Sequence, residues 1–310
     1  MPRESPTNID SLLLKEAKGA STKDRLVFFC IKNIYLSLGV LTRIVLGKKK
    51  RDSLYSQKRI SFIGFLYKSI EFLRLDNSFL LVFNMPKYEY KFYSRVTRKL
   101  PNFSIKAMYA GMTIHEEDIR KHFNPKKGDI VIDVGAAFGL YTIPSSRQVS
   151  SSGKVVAIEA HPTVFEMLNR NVKLNKLTNV TCLNYAIYSR KTKVKIYSNY
   201  TIMSERAEEE EEAKEKFVEV NADTLDNILQ QNGISKEQVN WLKIDVEGAE
   251  LEVLKGAHSI LSNSKDIALL IEIHGQNNYQ PVIDLLNSYD IKLIFQKNYD
   301  WGDRQVIARR

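Results

Sequence analysis

Cysteine is almost absent from this chain: Cys30 and Cys182 are the only two in 310 residues. Thiols so few and so far apart exclude a disulfide framework and a cysteine-built metal cluster. Uninterrupted apolar stretches are scarce too. The most hydrophobic segment, residues 24–46, has the length of a membrane span but is broken by Lys32 and Asn33. The polar, mixed-charge opening MPRESPTNID lacks the build of a cleavable leader, so a cytoplasmic protein is expected. Missing as well is a strand followed by Gly-x-Gly-x-x-Gly, the fingerprint of a dinucleotide site.

What is present is an ordinary soluble composition, 44% hydrophobic and 26% charged. Its charge is unevenly spread. Residues 1–105 hold 20 Lys or Arg against 8 Asp or Glu, and the remainder hold 26 against 28. The net charge of +10 therefore belongs to the N-terminal third, where an anionic partner is expected to meet the protein. On a helix, Arg25, Lys32 and Arg43 share one face, with apolar residues around the rest. A second amphipathic candidate, KRISFIGFLYKSIEFLRL, covers 58–75. Three arrangements suit such a pair: a cap on the following domain, helices lying in an anionic membrane interface, or a span. Residues 1–76 are read as a basic helical extension. An anionic membrane surface, met from the cytoplasmic side, is a candidate partner for residues 24–75. Residues 77–104 are read as a bridging β-hairpin, with a turn at Asn84–Pro86 and period-two alternation in the second strand.

From about residue 105 the texture changes. Short runs (DIVIDV, KVVAIEA, VTCLNYA, VNWLKIDV, IALLIEIH, IKLIFQ and RQVIAR) alternate with helical patterns such as PTVFEMLNRNVKLN. This predicts an α/β domain over 105–310, built on a mostly parallel sheet covered on both faces. The acidic run ERAEEEEEAKEKF, 205–217, reads as a solvated excursion between two short strands. Pro144 is expected to break or tilt the first helix and to leave SSRQVSSSG irregular.

The first core strand runs into VIDVGAAFGLYT, where Gly135 and Gly139 let the backbone turn and approach a ligand at a helix N-terminus. Matching Gly135 to the second glycine of a dinucleotide fingerprint puts Asp133 at the first. A carboxylate there disfavours a pyrophosphate and suits an ammonium or sulfonium group. Glu159 ends the second strand 20 residues after Gly139, where an acid either accepts hydrogen bonds from both ribose hydroxyls or lies on the surface. His161 follows, either beside an adenine or exposed. An adenosine with a zwitterionic tail satisfies both sites, and S-adenosylmethionine is such a molecule.

In order and spacing, PKKGDIVIDVGAAFGLYTI, KVVAIEAHPTVFEMLNRNVKLN, LKIDVEGAELEVLKGA and LLIEIHG resemble the FkbM-type family of S-adenosylmethionine-dependent methyltransferases. The resemblance covers roughly 105–296 and departs at Ala137 and Phe138, where that family often has Asn and a small aliphatic residue. It implies a class I methyltransferase (Rossmann-like) fold, with seven strands, mostly parallel, the last one antiparallel. It also implies O-methylation of hydroxyls on sugars or secondary metabolites. Carried over, Asp133, Gly135, Ala136 and Gly139 surround the methionine part, Glu159 holds the ribose, and Asn184 to Ala186 lie near the adenine.

Methyl transfer from a sulfonium needs the acceptor oxygen aligned and its proton removed. In the implied fold the fourth strand ends beside the reactive methyl, and Asp245 and Glu247 sit there. His274 ends the fifth. Asp245 is expected to orient the acceptor, and Glu247 or His274 to take its proton. Other accounts of these residues are that Glu247 and Glu250 open a helix, and that Lys243 pairs with Asp245 in the interior. Asp245, Glu247 and His274 are also able to hold a metal if they lie together, but their sequence spacing is not diagnostic and no metal is assigned. The expected acceptor is a hydroxyl-bearing small molecule or a glycan, with a lipid-linked one suiting the basic extension. The basic region shows no stacking-and-charge module, so nucleic acid is not expected. An RNA methyltransferase and a non-catalytic adapter are the rival readings.

Overall fold

The computed structural model describes residues 80–85, 90–95, 117–197, 202–203, 217–300 and 302–310. The amphipathic segments within 24–75 and the acidic run up to 216 lie outside them. The chain divides into two compact units, 1–115 and 116–310. In the first, β1 (Leu80–Met85) and β2 (Tyr90–Arg95) form an antiparallel pair, with Leu80 opposite Arg95 and Met85 opposite Tyr90. The hairpin is as expected, except that β1 continues through Asn84 and Met85, which the sequence reading put in the turn.

The second unit begins with α1 (Glu117–His122), β3 (Ile130–Val134), α2 (Thr142–Val149), β4 (Lys154–Ile158), α3 (Pro162–Leu174) and β5 (Val180–Leu183). Four short strands follow: β6 (Ala186–Ile187), β7 (Thr192–Tyr197), β8 (Ile202–Met203) and β9 (Phe217–Asp223). They make a small sheet of their own in the order β6-β9-β7-β8. After α4 (Leu225–Gln231) come β10 (Val239–Ile244), α5 (Glu250–Lys255) and α6 (His258–Asn263). The chain ends with β11 (Ala268–Ile273), α7 (Gln276–Ser288), β12 (Lys292–Asn298) and β13 (Arg304–Arg309).

The main sheet has seven strands in the order β12-β13-β11-β10-β3-β4-β5, parallel throughout except for β13, which runs antiparallel to both neighbours. Seven strands, mostly parallel with the last one antiparallel, are what the resemblance implied. The chain winds outward from β3 through β4 to β5, then returns to lay β10 on the other side of β3. Open α/β sheets bind ligands at such a switch point, beyond the carboxyl ends of the strands.

Period two explains why these runs form strands covered on both faces. Val131, Val155, Trp241, Leu270 and Ile307 pack on one face with Ile119 and Phe123. Ile132, Val156, Leu242 and Leu269 pack on the other with Leu225, Ile228, Val253 and Leu254. Burying each of the larger side chains contributes about 1.5–3 kcal/mol, so the strand ends rest on a stiff base.

Two local expectations are corrected. Pro144 does not break its helix: it is the third residue of α2, in the first turn, and the Leu140 carbonyl that its missing N–H leaves without a helical donor accepts from Arg120 at 3.3 Å instead. SSRQV is helical, and the irregular part begins only at Ser150, which has a left-handed φ of 61°. VTCLNYA is not one strand. β5 stops at Leu183, and Ala186 starts β6 in the other sheet, pairing with Ala222. Among the described residues, no helix is long and apolar enough to cross a membrane.

Candidate active site

The loop after β3 is fastened to the end of β4 by its own backbone N–H groups. The N–H groups of Gly135 and Ala136 both donate to Ile158 O, each at 3.0 Å. Gly135 has a φ of 75°, and a Cβ there would overlap the backbone carbonyl oxygen of Asp245. Glycine is therefore required twice over, by conformation and by contact. Ala137, at a φ of 47°, donates its N–H to Glu159 Oε2 at 2.9 Å, and His161 donates its own to Oε1 at 2.8 Å.

Glu159 is thus a clasp between the loop and the end of β4, and with 9% exposure it is no surface acid. Burial raises its pKa to about 7, outweighing the two backbone N–H groups and Lys243. Each of its oxygens still has a lone pair for a further donor. Behind the loop, the buried Asn171 side chain donates to Phe138 O at 2.9 Å. Sequence reasoning missed this residue. The available signal was a polar side chain inside the apolar stripe of α3, between Leu168 and Val172.

Asp133 lies below the loop at 1% exposure, where Oδ2 accepts from the Thr142 hydroxyl at 2.6 Å. Its Oδ1 is 3.4 Å from the Nζ of Lys243. Lys243 is itself buried; its ammonium donates to Gly135 O at 2.8 Å and lies 3.4 Å from Asp245 Oδ2. The interior pairing of Lys243 with Asp245 is therefore real, and it extends further: one ammonium ties together loop, strand and acid. Asp133 supports the loop from beneath. Ala136 is buried within that loop, and His161 is part-buried, with its pKa lowered by burial. Asn184 is exposed, but its amide donates to the carbonyls of Glu159 and Ala160 at 2.8 and 2.9 Å. Ala186 is buried in the small sheet.

The acids after β10 are distributed differently from a simple helix start. The Asp245 N–H continues the strand ladder to Val134 O at 3.1 Å. Glu247 then takes a left-handed φ of 54°, Gly248 one of 109°, and α5 opens only at Glu250. Glu247 therefore lies outside the helix, and the dipole account does not apply to it. Glu250 does open the helix, but fully buried and with a second task. Its Oε1 accepts from the Gly248 N–H at 2.9 Å and meets His274 Nδ1 at 2.8 Å. Among the described residues, nothing donates to Oε2 of the same carboxylate.

His274 turns its other nitrogen to a ring of acids. Nε2 lies 3.5 Å from Glu247 Oε2, 3.8 Å from Glu272 Oε1 and 3.9 Å from Asp245 Oδ1. Burial by itself would lower the His274 pKa. The hydrogen bond to Glu250 and the charges of Asp245, Glu250 and Glu247 outweigh it and raise the value to about 10. Near neutrality the ring is an imidazolium, which leaves Glu247 as the base of the two expected candidates. Desolvation, with repulsion from Asp245, Glu250 and Asp303, raises Glu247 to about 7 against the pull of His274, although half of its side chain is open to solvent. The structure thus joins Asp245 and Glu247, from the loop after β10, with His274, from the end of the adjacent β11.

The chain is similar in sequence to known methyltransferases. The Methyltransferase FkbM domain matches residues 133–297, a little over half of the chain. Methyltransferase sdnD of Sordaria araneosa is 29% identical over 163 residues, covering 43% of this chain and 62% of that one. A tRNA(Phe) (4-demethylwyosine(37)-C(7)) aminocarboxypropyltransferase of Methanocaldococcus jannaschii is 42% identical over 65 residues, covering 21% and 26%. The match thus spans about three fifths of the first relative and about a quarter of the second. The crystal structure of methyltransferase FkbM from Methylobacillus flagellatus aligns with 17% identity over 59% of this chain and 44% of that one, with a TM-score of 0.43. A likeness of that degree decides nothing, and the strand order carries the fold assignment by itself. With the matched segment opening on Asp133 and running past His274, the chain belongs to the FkbM family of methyltransferase domains.

Proposed function

We propose that the protein is an S-adenosylmethionine-dependent O-methyltransferase acting on a hydroxyl of a glycan or secondary metabolite. The observation that carries this reading is the contact between the glycine loop and the acid-bearing strand end, made through Gly135, Lys243 and Asp245. The residues fit the cofactor. Glu159 has an acceptor lone pair on each oxygen for the ribose hydroxyls, and the loop from Gly135 to Gly139 offers its backbone, with its one bulky side chain, Phe138, buried. Bound there, S-adenosylmethionine supplies a methyl carbon made electrophilic by its sulfonium.

The chain's own residues do the rest. Asp245, anchored by Lys243, accepts a hydrogen bond from the acceptor hydroxyl and orients its oxygen. Glu247, on the open side of the cluster, receives the hydroxyl proton as the oxygen–carbon bond forms. Balance is complete: the methyl passes from sulfur to oxygen and the proton to a carboxylate. The basic N-terminal third supports an acceptor held at an anionic membrane surface, as a lipid-linked glycan would be.

The test is transfer of a labelled methyl group from S-adenosylmethionine to a panel of hydroxylated glycans and metabolites. Label in an ether linkage, lost in Asp245→Asn with cofactor affinity retained, is the expected result. An RNA acceptor is the second reading, motivated by the basic region and by the local identity to the archaeal tRNA enzyme. Label incorporated into RNA alone overturns the glycan reading. Tight cofactor binding with no label in any acceptor favours an adapter.

A further inference from the structure

We infer that Asp245, Glu247 and His274 form a binding site for a single divalent cation, of the Mn²⁺ or Mg²⁺ class, at the ends of β10 and β11. Each residue offers one ligand atom, and the three atoms lie within 4.8 Å of one another. An octahedral ion with ligands at about 2.1 Å needs neighbouring ligand atoms about 3.0 Å apart and opposed ones about 4.2 Å apart. The 3.5 Å and 3.9 Å separations from His274 Nε2 fall between these limits, so small side-chain adjustments close the site.

Two of the three ligands are held by buried partners on the side away from the site. Glu250 holds Nδ1 of His274 and directs Nε2 at the carboxylates, where the ion takes the place of the proton that the ring otherwise carries. Lys243 holds Oδ2 of Asp245 and leaves Oδ1 toward the imidazole. Carboxylate–histidine–metal arrangements are built in this way. Charge points the same way. Asp245, Glu247, Glu250, Glu272 and Asp303 gather around one imidazole, and Lys243 is shared with Asp133. Among the described residues, nothing donates to the buried Oε2 of Glu250.

Glu272 and Asp303 form a second trio with the same His274. They are tied down elsewhere, Glu272 by Gln305 at 2.7 Å and Asp303 by the Gly275 N–H at 3.2 Å, so the first trio is the site. One imidazole among carboxylates suits Mn²⁺ better than Mg²⁺, which favours oxygen throughout.

Binding of the ion stands apart from the proposed reaction; its role in that reaction rests on the O-methyl transfer reading. An acceptor hydroxyl takes an open coordination position and becomes more acidic there, and its proton still goes to the unliganded oxygen of Glu247.

The experiment is Mn²⁺ titration of the full chain, followed by electron paramagnetic resonance, with S-adenosylmethionine binding measured on the same samples. One Mn²⁺ per chain is expected, competed by Mg²⁺ and showing hyperfine coupling to an imidazole nitrogen. His274→Gln abolishes that coupling. Glu247→Gln, in the exposed loop and harmless to folding, weakens Mn²⁺ at least 10-fold, and Glu250→Gln does so by about 10–100-fold. The inference is overturned by the absence of Mn²⁺ binding below millimolar concentration, by an affinity that Glu247→Gln leaves unchanged, or by a spectrum without nitrogen coupling. Cofactor binding without Mn²⁺ sinks the metal site alone; Mn²⁺ without cofactor sinks the methyl-transfer reading alone.

Discussion

Gly135 and Asp245 are in backbone contact: the α-carbon of the first faces the carbonyl oxygen of the second so closely that no side chain fits between them. The loop proposed to receive the cofactor and the strand end proposed to receive the acceptor are therefore one structural piece. Gly135→Ala must separate them, and its φ of 75° adds strain. Urea denaturation is expected to show a loss of about 1–3 kcal/mol, as for other overpacked sites, and calorimetry a loss of cofactor affinity.

Ala137 offers the opposite case. It holds a left-handed φ of 47°, a region that Asn tolerates far better than Ala. The departure from the family noted at this position is thus a stability defect rather than a chemical change. Ala137→Asn is expected to raise stability by a few tenths to about 1 kcal/mol, read as an increase in Tm with cofactor affinity preserved.

Glu159 makes the site pH-dependent. Its pKa rises from 4.5 to about 7 on folding, so between those values the unfolded chain has released a proton that the folded chain keeps. Its contribution to stability consequently falls as pH rises through this window. Cofactor binding moves the other way, because an ionised carboxylate accepts from both ribose hydroxyls. Affinity for S-adenosylmethionine is expected to strengthen between pH 6 and 8, and Glu159→Gln to flatten that profile as well as weaken binding.

Lys243 is the buried cation that Asp133 and Asp245 share. Lys243→Met strands Asp133 in the interior and is expected to cost about 3–5 kcal/mol. Asp133→Asn combined with Lys243→Met removes the stranded charge and should recover part of that loss. A coupling of about 0.5–3 kcal/mol in the double-mutant cycle measures the pair.

Much of this was legible in the sequence because strands announce themselves locally. Apolar runs such as DIVIDV and IALLIEIH have the length and flanks of strands buried on both faces, and the glycines mark the loop between β3 and α2. Pairing partners are not local. That Glu250 reaches His274, 24 residues on, follows from β10 and β11 lying side by side, so the acid looked like a helix opener and nothing more. Likewise, the spacing of Asp245, Glu247 and His274 is not diagnostic of a metal site, since the geometry that assembles them is the sheet's. Pro144 misled in another way: a proline breaks a helix or begins one according to where the first turn falls, and that depends on how Gly139 ends the loop.

The most direct measurement for the central claim is calorimetric titration of the full chain with S-adenosylmethionine and, separately, with NAD. The account predicts a one-to-one isotherm for S-adenosylmethionine that Glu159→Ala abolishes, and no heat with NAD. A clear isotherm with NAD and none with S-adenosylmethionine would contradict it.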